Sequence, residues 1–190
     1  QAGSDSMLER MRRPYTRDQY LQLIEKMKGI IPGLSLSTDI IAGFCEETEE
    51  EHQQTLSLMR EVEYDLAYMF AYSERERTLA YRKFEDDVPE EVKKRRLSEI
   101  ISQQMSTQHR RNQDEIGQRH VVLVEGTSKR SEQQMSGRTD TNKIAVFDRN
   151  NFEKGDYVEV EITGATSATL IAKPIAKTSL GVYYSAVLEA

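Results

Sequence analysis

The pattern of the chain changes once, near Gly117, and that change limits the folds open to it more than anything else. Before it, apolar residues recur at helical spacing or gather in short runs. After it, they alternate in brief stretches punctuated by Gly126, Gly137, Gly155 and Gly164. A segment with a 3.6-residue period does not settle as a strand, nor the reverse. The chain is therefore read as two bodies of different class. Residues 1–116 form an α/β part and residues 117–174 a small antiparallel β-barrel. The tail 175–190 is too weakly patterned to place.

Within the first part, Thr16 with Gln19 and Thr48 with Glu51 are capping-box patterns, in which side chains satisfy the orphan N–H groups of a helix start. The first opens a helix over Arg17–Lys28, with Tyr20, Leu23, Ile24 and Met27 on one stripe, ended by Pro32-Gly33. The second opens a helix over Glu49–Val62, with Leu56, Met59 and Val62 inward. Leu34–Phe44 reads as a strand buried on both faces, and Leu66–Tyr72 as its partner. Strand, helix and strand together have the length of a parallel crossover. Ser73–Val88 reads as a loop. Pro89 starts a long helix to about Arg111, with Val92, Leu97, Ile100, Ile101 and Met105 as its apolar side. Beyond Gly117, His120–Val124, Ile144–Phe147 and Tyr157–Thr163 read as strands.

Composition excludes several functions. Net charge is −6, with residues 1–117 at −6 and residues 118–190 at zero. That argues against a surface built throughout to grip nucleic acid, while leaving room for a local patch. No apolar stretch approaches the roughly 18 residues of a membrane span, so no membrane partner is expected. There is one cysteine, Cys45, so neither an internal disulfide nor a four-thiolate metal site can be built from this chain. The chain opens Gln-Ala-Gly-Ser without a targeting segment, and it is expected to be an internal or C-terminal piece of something longer.

Few residues point to chemistry by themselves. Ser37–Phe44 ends in a polar-to-glycine stretch, and strand C-termini face the active site in parallel α/β architectures. A strand that simply stops at a turn explains the same residues. Cys45 reads as an apolar filler beside Glu46 and Glu47. His52, His109 and His120 lack metal-ligand spacing, and Glu46–Glu51 reads as a charged helix start; no metal site is expected. Lys93–Arg96 reads as a solvated helix face. Lys129, Arg130 and Arg138, placed in turns of the barrel, suit contact with a phosphate backbone. No aromatic residue partners them for base stacking.

The residues do resemble a known family. Gln1–Ser4 is similar to a Gln-Ser-Gly-Ser segment of the MiaB-type tRNA methylthiotransferases, and Met11–Thr16 to their Met-Asn-Arg-Gly-Tyr-Thr. Ser37–Phe44 followed by Glu47-Thr48-Glu49-Glu50 resembles Ser-Thr-Asp-Ile-Ile-Val-Gly-Phe-Pro-Gly-Glu-Thr-Glu. Tyr72-Ser73 with Arg75 and Thr78 resembles Tyr-Ser-Pro-Arg-Pro-Gly-Thr. Gly137-Arg138-Thr139 resembles part of the family's TRAM domain. The matches occur in the family's order across residues 1 to 172. Asp86–Glu91, Leu123–Gly126 and Ser128–Ser131 look most like the animal mitochondrial branch.

The resemblance implies the second half of a radical S-adenosylmethionine partial (β/α) barrel followed by TRAM. It implies an enzyme that adds a methylthio group to carbon 2 of N6-isopentenyladenosine beside the tRNA anticodon. S-adenosylmethionine and two [4Fe-4S] clusters would serve the full-length protein, and the anticodon stem-loop would be its partner. No obligate protein partner is implied, and the location would be mitochondrial or cytoplasmic. The cluster cysteines are missing here, so no catalytic residue is assigned and the chain alone is expected to be inactive. Ser37, Thr38, Asp39 and Gly43 match the segment expected near the cofactor, and Ser4 and Arg13 match segments expected at the barrel mouth. Lys129, Arg130 and Arg138 are assigned to tRNA. Three departures stand out. Cys45-Glu46 replaces Pro-Gly, Glu74, Glu76 and Arg77 replace prolines and a glycine, and Ala2 replaces a serine. The alternative function is a stand-alone RNA-binding module without catalysis.

Overall fold

The computed structural model describes residues 1–179 and divides into two compact units, Gln1–Thr107 and a second beginning at Gln108. The order of elements in the first is α1 (Asp5–Arg10), α2 (Arg17–Ile30), β1 (Ser37–Ala42), α3 (Glu49–Val62), β2 (Leu66–Ala71), α4 (Leu79–Lys83) and α5 (Glu90–Gln113), whose last turn belongs to the second unit. Both capping boxes are formed: Thr16 accepts from the Gln19 N–H and Thr48 from the Glu51 N–H, with each partner side chain reaching back. The short helix α4 lies inside the segment expected to be loop; Thr78 caps it, accepting from the Tyr81 N–H.

β1 and β2 pair in parallel, Ser37 opposite Leu66 through Ala42 opposite Ala71. Two strands alone are marginal in water. Here a core of Ile24, Ile40, Ala42, Leu56, Met59, Val62, Ala67 and Ile100, drawn from α2, α3, α5 and the sheet, covers one face. The other face is open. Ser37 and Asp39 are exposed there, and Tyr68 and Phe70 are each 54% exposed. The strand expected to be buried on both faces is thus buried on one, because no element among the described residues covers the Asp39 side. On α2 the apolar stripe is also shifted: Leu23 is exposed and Leu21 packs against the core.

Helix α5 departs most from its pattern. Lys93 is 1% exposed and Arg96 5%, and Gln104 and Thr107 are buried with Ile100, whereas Ile101 and Met105 are exposed. The inner face therefore runs Lys93, Arg96, Ile100, Gln104, Thr107. It holds charges because each has a partner. Lys93 Nζ lies 2.6 Å from Asp86, and Arg96 lies 3.0 Å from a Glu47 carboxylate oxygen while donating to the Glu47 carbonyl at 2.8 Å. Hydropathy cannot reveal a buried charge whose partner is distant in sequence.

The second unit is a closed barrel of β3 (Arg119–Ser128), β4 (Ser131–Thr139), β5 (Ile144–Asp148), β6 (Tyr157–Ala165) and β7 (Leu170–Thr178), in the order β3-β4-β5-β7-β6. All pairings are antiparallel except β5 with β7, which is parallel through Ala145–Leu170 and Val146–Ile171. The expectation of a purely antiparallel barrel is corrected at that seam. Val122, Val124, Met135, Phe147, Val158, Val160, Ile162 and Leu170 fill the interior. β4 and β7 lie outside the strands expected from the sequence, although burial alternates along part of both. β4 sends only Met135, Gly137 and Thr139 inward, and a Cβ at Gly137 would stand 2.2 Å from the Leu123 carbonyl oxygen. Gly137 thus lies within a strand, where it lets β3 and β4 approach. Part of the expected tail, through Thr178, belongs to β7, and the remainder from 180 onward lies outside the described residues.

Candidate functional site

In the first unit, the C-terminal ends of β1 and β2 open onto a cleft of about 520 Å³ lined by Asp39, Ile41, Phe70, Tyr72, Ser73, Arg75 and Thr78, among others. Alternation along β1 puts Asp39 and Ile41 on the open face, and register sets Tyr68 and Phe70 beside them. Gln1 also lines the cleft, and its carbonyl accepts from the Ile41 N–H at 3.2 Å.

Of the six residues assigned from the resemblance to cofactor contact, Asp39 is in the cleft. Arg13 reaches it through Gln1, donating from Nε to the Gln1 side-chain oxygen at 2.9 Å. Ser37 shares the open face but lies at the opposite end of β1. Thr38 points the other way and lines a small cavity with Tyr15, Tyr20 and Tyr64. Ser4 is buried as the N-cap of α1, accepting from the Met7 N–H at 3.2 Å. Gly43 has φ +73°, and a Cβ there would stand 2.3 Å from Lys93 Cγ, so its contact is with α5. Tyr72, Ser73, Arg75 and Thr78 were missed as site residues, although the Tyr-Ser-x-Arg-x-x-Thr spacing carried them.

Behind the cleft, Lys93 Nζ sits 5.5 Å from the centre of the Tyr72 ring while paired with Asp86. Cys45 is buried, and burial first, then Asp86, push its thiol above the ordinary range. That fits an inert filler.

α3 and α5 bring Glu49, His52 and Glu99 within 4.8 Å of one another, which a single helical face could not do. His52 is fully buried and donates from Nε2 to Glu99 at 2.7 Å. Arg95 lies 2.6 Å from Glu49 and 2.7 Å from Glu99, and Arg96 3.4 Å from Glu49, so two guanidinium groups already offset the two carboxylates.

In the second unit, Lys129 and Arg130 form the β3–β4 turn as expected, exposed and without an ion-pair partner among the described residues. Arg138 is not in a turn. It lies within β4 opposite Leu123, five residues along β3 from Ser128, or roughly 17 Å at strand rise. Its guanidinium bonds to Glu125 and to Asn142 at 2.9 Å. The three assigned cations therefore form two separate groups. Leu123 stands between Arg138 and Tyr157 across the sheet, an aromatic neighbour that sequence distance hid. At the other end of the barrel, a hydrogen bond from His120 and the Lys143 ammonium, working against burial, hold Glu115 down to about 2.

Comparison with known proteins agrees with this architecture. The TRAM domain model matches residues 113–175. A tRNA-2-methylthio-N(6)-dimethylallyladenosine synthase of Chlorobium phaeobacteroides is 53% identical over 174 residues, 92% of this chain and 39% of its own length. The human mitochondrial tRNA methylthiotransferase CDK5RAP1 is 47% identical over 192 residues, covering 95% of this chain and 32% of that protein. A CDK5RAP1-like protein of Oryza sativa is 47% identical over 197 residues, at 97% and 33% coverage. The chain thus spans 32% to 39% of the length of these relatives. It carries a TRAM domain and is related, over nine-tenths of its length, to the C-terminal part of the MiaB-type tRNA methylthiotransferases.

Proposed function

We propose that this chain is the C-terminal part of a tRNA methylthiotransferase. The first unit would be the second half of a radical S-adenosylmethionine partial barrel, and the TRAM barrel would hold tRNA at the anticodon stem-loop. The full-length protein would add a methylthio group to carbon 2 of N6-isopentenyladenosine, in mitochondria or cytoplasm. The observation that carries this reading is the cleft over the parallel strand ends. It gathers Asp39, Tyr72, Arg75 and Thr78, residues of two separate motifs through which the chain resembles the family.

The residues present do not fit an iron–sulfur cluster. Cys45 is the single cysteine, and it is buried. A cluster needs three or four thiolates, so its ligands must come from elsewhere and no step is derived through it. S-adenosylmethionine fits better. The cleft has the size of a small-molecule site, and Asp39 and Arg75 offer a carboxylate and a guanidinium to its charged amino-acid end. When bound, that cofactor supplies the methyl group and, with a cluster, the radical. This chain's part is to bind and orient: Asp39 holds charge on the open face, and Tyr72 and Phe70 give the site an apolar wall.

Equilibrium dialysis of labelled S-adenosylmethionine against the chain tests the cleft. Binding is expected, weakened about tenfold or more by Asp39→Asn, in line with loss of a charged hydrogen bond. With iron and sulfide added, mass spectrometry should detect no 5'-deoxyadenosine. Release of that product would overturn the reading of the missing ligands. The closed barrel favours one alternative, an RNA-binding module alone. Binding of tRNA with no cofactor binding would select it.

A further inference from the structure

We infer that the segment 73–83, with Arg12, forms a second RNA-binding surface at the mouth of the strand-end cleft. It is not part of the barrel that carries Lys129, Arg130 and Arg138. The inference rests on the tRNA reading above and names where in the first unit the RNA is held.

Beside Arg75, which is assigned above to the cofactor, four more cations lie in these segments: Arg12, Arg77, Arg82 and Lys83. All are exposed, and none has a side-chain hydrogen bond or ion pair among the described residues. Elsewhere in this unit the basic side chains of Arg10, Arg17, Lys93, Arg95 and Arg96 are held by carboxylates. Arg75 lines the cleft itself, while Arg12 lines an adjoining cavity with Tyr72, Leu79 and Ala80. Tyr72 and Ala80 border both, so Arg75 and Arg12 flank one opening, and Arg77, Arg82 and Lys83 are carried by the segment 73–83 that borders it through Thr78, Leu79 and Ala80. Within 73–83 four cations face two carboxylates, Glu74 and Glu76.

The backbone supplies an independent observation. Arg12 has φ +57° and Arg77 φ +69°. A side chain in the left-handed region costs of order 1 kcal/mol; Arg12 ends α1 with its N–H donated to the Glu9 carbonyl at 2.9 Å, whereas Arg77 has no hydrogen bond among the described residues to offset it. Strain of this kind gathers at functional sites. Tyr81, 48% exposed on α4 between Arg77 and Arg82, adds a ring on which an unpaired base can stack. Unpaired guanidinium groups with an interleaved aromatic fit a folded RNA, whose phosphates take the cations and whose loop bases take the ring.

The test is fluorescence-anisotropy binding of a labelled RNA stem-loop to the whole 190-residue chain across a salt series. The rim variant carries Arg77→Gln, Arg82→Gln and Lys83→Gln; the barrel variant carries Lys129→Gln and Arg130→Gln. We expect the rim variant to bind about tenfold or more weakly, with a log K against log salt slope shallower by roughly two. Its circular-dichroism melt should match wild type. Tyr81→Ala should weaken the stem-loop several-fold more than a blunt duplex. An unchanged affinity and slope for the rim variant, with the barrel variant weakened, would overturn the rim and leave the tRNA reading standing. Failure of the wild-type chain to bind the stem-loop would overturn both. Loss of binding to polyglutamate or anionic vesicles, but not to the RNA, would also overturn it.

Discussion

Replacing two residues by glycine should stabilise this protein, against the usual effect of that substitution. Glu46 and Arg77 stand where the family pattern that the sequence resembles has glycine, and both have left-handed backbones, φ +61° and +69°. For a residue with a Cβ that region costs about 1–2 kcal/mol. Glycine avoids this but loses about 0.5–1 kcal/mol through the freedom of its unfolded chain. The net gain is about 0.5–1 kcal/mol per site. Little is lost with the side chains. Glu46 is half exposed and 4.0 Å from Arg10, a pair worth under about 1 kcal/mol. Its stronger contact is the backbone N–H donated to Asp87 at 2.7 Å, which glycine keeps. Urea unfolding followed by far-UV circular dichroism reads the first unit, where most of the helix lies. Glu46→Gly and Arg77→Gly should each raise the midpoint at constant slope. Glu46→Ala and Arg77→Ala should not, because alanine keeps the strain. Equal gains from alanine and glycine would refute the backbone argument and place the cost in the side chains.

Three further outcomes are expected. Gly137→Ala should destabilise the barrel by about 3 kcal/mol or more, because the new methyl meets the Leu123 carbonyl and Val122 rather than a flexible chain end; a thermal melt of the barrel checks it. Arg96→Met should cost about 3–5 kcal/mol, leaving the buried Glu47 with the Gly43 N–H but no cation. The double variant Arg96→Met/Glu47→Leu should recover much of that loss in denaturant titration. Because Glu115 falls from its ordinary 4.5 to about 2 in the folded state, its contribution is complete above pH 4.5 and disappears as pH drops towards 2. Acid unfolding of wild type and Glu115→Gln should converge there, after differing by about 1–2 kcal/mol at neutral pH once solvent screening is allowed for.

Local chemistry was legible wherever it acts within a few residues. Thr16, Thr48 and their partners three positions on mark helix starts because capping is a contact within one turn. The α3 range follows from it, and the change of period at Gly117 separates an α/β part from a strand-rich one. The ordered motifs identified the relatives. Beyond that reach the pattern failed for physical reasons. Lys93 and Arg96 read as solvated because hydropathy records charge, not the Asp86 and Glu47 that neutralise it from distant segments. β4 read as turns because a barrel strand lining a tight interior needs a glycine and few apolar residues. Arg138 was grouped with Lys129 and Arg130 by closeness in sequence, whereas a strand separates them at about 3.4 Å per residue. The sequence by itself determined the helix starts, the two classes of structure and the resemblance to the methylthiotransferases. Only the tertiary structure decided which face of β1 opens onto a cleft, which charges are buried in pairs and which arginines remain free, since each depends on residues that meet only when the chain is folded.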